Sequence, residues 1–143
     1  MARKSYSEQE REQIRDKLLI AVLECIAERG LIHSSIDVLC GKAGISKTFF
    51  YRFFSSKEEL VLQALRYQQP KLLSYAQSLM DNADLSWRES VKTFLTSCCY
   101  GAKTGVAVLS IEDEKEIRRC LSEENFQAFR QDQVIFYRNL LTI

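Results

Sequence analysis

The segment from Ser35 to Leu60, SIDVLCGKAGISKTFFYRFFSSKEEL, constrains the chain most, because two short helical patterns meet in it at a glycine turn and pass directly into a longer helix. Ser35 stands where an N-cap is needed for the first of these helices, with Leu39 and Ala43 directed inward. A glycine inside a helix costs about 1 kcal/mol relative to alanine, so packing against another helix must hold the one that contains Gly41. Gly44 supplies the positive φ of a tight turn, Ile45 plugs that turn into the core, and Ser46 caps the next helix. The pattern is that of a helix-turn-helix.

Between Val38 and Lys57 the charged residues are Lys42, Lys47, Arg52 and Lys57, with no carboxylate among them, although the whole chain carries 20 basic and 19 acidic side chains. This local excess points to a polyanion, and the net charge of +1 means that any such binding is focused on one surface. Spaced about 100° apart on a helical wheel, Lys47, Thr48, Tyr51 and Arg52 fall on one arc, and Phe49, Phe50, Phe53 and Phe54 on the other. Phe50 and Phe54 are core residues on this reading. The polar arc suits hydrogen bonds to phosphates and to guanine acceptor edges in a major groove. Ser56 and Glu59 form a capping box, which sets Lys57 in a first helical turn where the dipole disfavours a cation. A docked phosphate resolves that conflict; a tolerated surface lysine is the competing reading.

A chain of 143 residues can bury a real core as one compact domain or as a small head on a helical body. Its 46% apolar and 27% charged residues are those of a folded protein. No apolar run approaches the roughly 18 residues of a membrane span, and the N-terminal MARKSYSEQER lacks a signal-peptide core, so a cytoplasmic protein without membrane contact is expected. The five cysteines form no C-x-x-C pair and come with a single histidine, which supports neither a disulfide framework nor a metal site. Reduced, mostly buried thiols are expected. His33 lies in a loop without an acidic partner, so no catalytic constellation and no cofactor are expected. Five glycines, one proline and the lack of alternating polarity favour an all-α fold.

Residues 1–6 read as a basic arm, either along a nucleic-acid backbone or in solvent. Ser7 and Glu10 form a capping box, Ile14, Leu18, Val22, Cys25 and Ile26 share one helical face, and Gly30 provides a left-handed stop. Beyond Leu60 the pattern Val61, Leu65, Leu72, Ala76, Leu79 keeps helical spacing on both sides of Pro70, so a kink or a boundary between two helices is expected near Gln69. Ser86 and Glu89 form a further capping box, leading a helix with Val91, Phe94, Leu95 and Cys98 facing the core and ending between Gly101 and Gly105. Val106–Leu109 is helix or loop. Ile111–Cys120 is an acid-led helix, and Ser122 starts a last one carrying Phe126, Phe129, Gln133, Phe136, Tyr137 and Leu140 along one side. The vicinal Cys98 and Cys99 have no flanking cation that would make an oxidant sensor of them.

The linked set Ser35-Ile36, Leu39-Cys40, Ala43-Gly44-Ile45-Ser46, Phe50-Tyr51, Phe53-Phe54 and Ser56-Lys57-Glu58, closed by Leu60, resembles the DNA-binding head of the TetR-type (tetracycline-repressor-like) transcriptional regulators over about residues 10–66. The resemblance implies an all-α protein with a three-helix helix-turn-helix head over residues 1–56 and a helical ligand-sensing and dimerisation body over residues 57–143. It implies a repressor that holds a palindromic operator in double-stranded DNA as a homodimer and leaves it when an unknown small-molecule effector binds. By the same resemblance Lys47 and Thr48 approach base edges, Tyr51 lies against the backbone or nearby bases, and Ser35 and Lys57 hold phosphates. Ser46 and Arg52 complete the expected DNA-binding set. Thr48 stands where the family usually has glycine, Phe49 replaces a small residue, and Phe53 replaces a polar aromatic and cannot bond a phosphate, a role that Arg52 takes over in part. Tyr75, Trp87, Phe94, Tyr100, Phe126 and Phe129 are candidates for an effector pocket, with plain core as the alternative. The family usually continues for two more long helices past the apolar end Leu140-Leu141-Thr142-Ile143. The alternative function, from a different class, is therefore a shortened protein-interaction module that pairs with a full-length relative without specific DNA binding.

Overall fold

The computed structural model describes residues 5–143. Most of the expected basic arm lies outside the described residues. Its last residue, Tyr6, belongs to the fold, with its ring 4.7 Å from that of Phe49. The described residues form eight α-helices and one 3-10 turn, with no strand among them: α1 Glu8–Arg29, the turn Leu31–His33, α2 Ile36–Ala43, α3 Lys47–Phe50, α4 Lys57–Met80, α5 Trp87–Cys99, α6 Gly101–Thr104, α7 Ile111–Cys120 and α8 Glu123–Leu141. The all-α expectation holds.

Each helix of the head starts at a serine. Ser7, Ser35 and Ser46 accept the backbone N–H groups of Glu10, Val38 and Phe49, which supplies partners for amides that the first helical turn leaves open. Glu10 also returns its carboxylate to the Ser7 amide, completing the box. Ile14, Leu18, Val22, Cys25 and Ile26 are all buried, so the apolar stripe of α1 is the centre of the core. Against it pack Leu39 and Ala43 of α2, Phe50 and Phe54, and Leu60, Val61 and Ala64 of α4. This cover holds α2 in place. Gly41 itself faces open space.

Five local expectations are corrected. Gly30 has a positive φ of 82° but a ψ of 163°, an extended glycine-only conformation in place of a left-handed cap. Glu59 does not bond the Ser56 amide; its carboxylate reaches one residue further back, to the amide of Ser55 at 2.7 Å and to the Ser55 hydroxyl, so the second box is only half formed. No helix boundary falls at Pro70: α4 runs through it for 24 residues, with Pro70 on the exposed side while Leu65, Gln68 and Ala76 anchor the helix on both flanks. Packing on either side offsets the missing hydrogen bond. Leu95 is exposed, and of the thiols only Cys25 and Cys40 are buried, with Cys98 half-buried and Cys99 and Cys120 exposed. Burial raises the Cys98 pKa, which keeps it a thiol.

In the body α4 packs against α5 and α8, and Ile117, Phe126 and Phe129 join the same core as the head. Ser110 caps α7 in a box with Asp113. No helix among the described residues is long and apolar enough to cross a membrane.

Candidate nucleic-acid interface

Gly44, at φ 70° and ψ 34°, is the left-handed residue that closes α2; its N–H and that of Ile45 both return to the Cys40 carbonyl. Ser46 then opens α3. Only Lys47–Phe50 is α-helical, shorter than the sequence pattern implies, because the chain tightens at once: Arg52 donates its N–H to Phe49 and Phe53 to Phe50, spacings of a 3-10 turn. The two arcs survive this tightening. Phe50 and Phe54 are buried at 0% and 2% exposure, whereas Lys47, Thr48, Tyr51 and Arg52 are all exposed. Phe49 and Phe53 lie half-buried between the arcs, with ring centroids 5.2 Å apart.

The charges on the exposed arc are weakly engaged. Lys47 Nζ is 4.0 Å from Asp37 Oδ1, with both side chains largely in solvent, so the pair contributes little to stability. Asp37 stands one residue before the carboxylate-free window, and the fold brings it beside the basic arc. The Arg52 guanidinium lies over the Phe49 ring, 5.6 Å from its centroid, a contact that steadies the side chain while its edge stays available. Tyr51 meets Phe50 edge-on and keeps half its surface in solvent. Ser35 and Ser46 sit exposed at the N-termini of α2 and α3; their oxygens accept capping amides while each hydroxyl still has a proton to donate.

Lys57 is placed differently from the other cations. It is half-buried, and its Nζ donates to the Leu31 carbonyl at 3.3 Å, so its conflict with the α4 dipole already has a partner inside the protein. Leu31 in turn donates its N–H to Asp113 Oδ1 of α7 at 3.0 Å, and Asp113 is 3% exposed. The sequence reading missed this bond: the partners are 82 residues apart, and an aspartate at the third position of a helix signals a cap and nothing further. Beside Lys57, the carboxylates of Glu58 and Glu116 and the Cys120 thiol lie within 4.8 Å of one another. Arg119 bonds Glu116 and lowers its pKa, which accounts for the carboxylate without a metal.

The six aromatic candidates for an effector pocket do not converge. A cavity of about 250 Å³ opens between α4, α5, α8 and the 106–109 segment, lined by Leu65, Leu72, Phe94, Leu109 and Phe136 among others. A second hollow of similar volume, lined by Met80, Trp87, Phe94 and Leu141, lies further along α4 and α5. Phe94 lines both, Trp87 only the second and at 73% exposure. Tyr75 turns to a shallower hollow and bonds Ser97 at 3.0 Å. Tyr100 is 59% exposed, and Phe126 and Phe129 are core. The aliphatic lining residues carry the same period as any core stripe, so spacing could not single them out.

A capped turn on a three-helix core, presenting a short helix with an exposed, cation-bearing face, defines a helix-turn-helix DNA-binding head. Residues 18–64 match the family model for bacterial regulatory proteins of the tetR family, so the head of this chain is similar to the DNA-binding head of the TetR-type regulators. The chain is 39% identical over 64 residues to the HTH-type transcriptional activator FasR of Mycolicibacterium smegmatis, a match covering 45% of this chain and 29% of that protein. It is 44% identical over 46 residues to the uncharacterized HTH-type transcriptional regulator YvdT of Bacillus subtilis, covering 32% and 24%. The matched stretch thus spans less than a third of either relative. No solved structure matches the chain.

Proposed function

We propose that the chain is a TetR-type transcriptional regulator that grips duplex DNA through Lys47, Thr48, Tyr51 and Arg52, with Ser35 and Ser46 donating to phosphates at the two helix N-termini. The observation that carries this reading is the exposed arc of α3, all cation, hydroxyl and phenol, set on a buried Phe50 and Phe54. Lys57 adds charge behind that row and reaches a phosphate only from its place on the Leu31 carbonyl. A homodimer would seat one α3 in each of two successive major grooves of a palindromic operator. Residues 1–56 then serve as the reading head and residues 57–143 as the regulatory body.

Release by an effector is supported by the apolar cavity between α4, α5 and α8, which offers a small apolar molecule a place in the body. We read the mode as repression, since a dimer seated on an operator excludes other proteins without any further surface. One relative bears the name of an activator, and a promoter-fusion assay sets the sign. The binding claim is tested by titrating the purified chain with its own upstream DNA at several salt concentrations while mass is tracked by light scattering. Tight binding by a dimer, weakening steeply with salt, is expected. Failure to bind any upstream fragment more tightly than random duplex would overturn it.

A further inference from the structure

We infer that the segment from Ala107 to Asp113 is a strap that carries the state of the body cavity to the DNA-binding head, with the Leu31 peptide as its receiver. The inference deepens the ligand-responsive reading and rests on it for its use, but its geometry stands alone. At the cavity end, Gln68 of α4 and the Ala107 backbone form a reciprocal amide pair: Nε2 donates to the Ala107 carbonyl and the Ala107 N–H donates to Oε1, each at 2.9 Å and buried. Gln68, Ala107 and Leu109 are themselves part of the cavity wall.

Past Leu109 the chain enters α7 at Ser110. Asp113 holds that entry by accepting the Ser110 N–H at 3.1 Å on one oxygen, while its other oxygen accepts the Leu31 N–H across the junction. The turn before Leu31 fits closely: a side chain on Gly30 would meet the Asp113 carboxylate at 3.5 Å. On its carbonyl side Leu31 accepts the Ser34 N–H at 3.0 Å and Lys57 Nζ at 3.3 Å. One fully buried residue, Leu31, therefore joins α7 through its N–H to the N-terminus of α4 and the 3-10 turn that leads to the Ser35 cap through its carbonyl.

Separating Ala107 from Gln68 would leave four buried polar groups without partners, so a ligand that enlarges the cavity displaces the strap together with its anchor or not at all. Six residues along, the Asp113 carboxylate is the next fixed point. The chemistry of the wall limits the ligand. Its apolar residues are joined at the rim by Gln69, Gln133 and Glu114, with no lysine or arginine among the lining residues, which fits a neutral or cationic apolar molecule and disfavours an anion.

The test needs no ligand. Backbone amide hydrogen exchange is measured on the full chain, on Gln68→Met, on Asp113→Asn and on the double variant, with Leu95→Ala as a wall substitution off the strap. Gln68→Met should speed exchange at Ala107 and, by about tenfold, at Leu31, leaving Leu18 and Val22 unchanged. The double variant should exchange at Leu31 no faster than Asp113→Asn alone, and Leu95→Ala should leave Leu31 as in wild type. Faster exchange at Ala107 with wild-type exchange at Leu31 would overturn the strap. If Gln68→Met does not fold, Gln68→Glu, which keeps the acceptor and loses the donor, gives the same reading. DNA affinity measured alongside separates the two ideas: coupled exchange with unaltered affinity supports the strap and sinks the ligand-responsive reading.

Discussion

Lys47 and Lys57 sit ten residues apart in one basic run, yet their surroundings give them different work. Lys47 has an exposed carboxylate at 4.0 Å and nothing that the fold depends on; Lys57 is half-buried on a carbonyl. Lys47→Ala should therefore leave thermal stability unchanged while weakening DNA binding and relaxing base preference. Lys57→Ala should lose about 1 kcal/mol of stability and flatten the salt dependence of binding; melting curves and titrations on both variants check this. Glu59 offers a pH signature. Hydrogen bonds from the Ser55 hydroxyl and amide hold its carboxyl below the ordinary 4.5, so it stabilises the fold above that pH and loses the contribution as pH falls through the lower folded value. The stability gap between wild type and Glu59→Gln should accordingly be full at neutral pH and close on acidification, read by denaturant midpoints. What was legible at this scale was local. Ser7, Ser35, Ser46 and Ser86 announce helix starts because a cap and its partner lie three residues apart. The Asp113 to Leu31 bond has no such signature, since its partners meet only once the chain is folded.

Among the elements, α4 departs furthest from its sequence pattern. Proline disfavours a helix interior, which argues for a kink or a boundary near Gln69, but α4 continues past Pro70 without a boundary, with Leu65, Gln68 and Ala76 buried on either side. Pro70→Ala should restore one hydrogen bond and raise stability by about 1–3 kcal/mol, seen as a higher melting temperature. Had α4 been two helices meeting at Pro70, the substitution would be close to neutral. In the head, the starts of α2 and α3 and the Gly44 turn were legible, because they are built from short-range signals, a cap, a positive φ and a period, whereas the early end of α3 was not. The shape of the body was not. Leu95 repeats at the core spacing of α5 and still faces solvent, and Phe126 and Phe129 pack into core where Tyr100 does not, because burial depends on which neighbour arrives.

For the molecule as a whole, head and body share one continuous core through α1 and α4, and the Asp113 to Leu31 bond ties α7 to the same junction. Under the proposed strap, that continuity is the route by which a body cavity would act on DNA binding. It also means that the central claim stands or falls on DNA itself. The deciding measurement is the affinity of the purified chain for duplex DNA from its own upstream region, taken against random duplex across a series of salt concentrations. The account predicts preferential binding whose logarithm falls linearly with the logarithm of salt, with a shallower slope for Lys47→Ala. Equal affinity for both duplexes, or a slope untouched by Lys47→Ala and Arg52→Ala together, would contradict it.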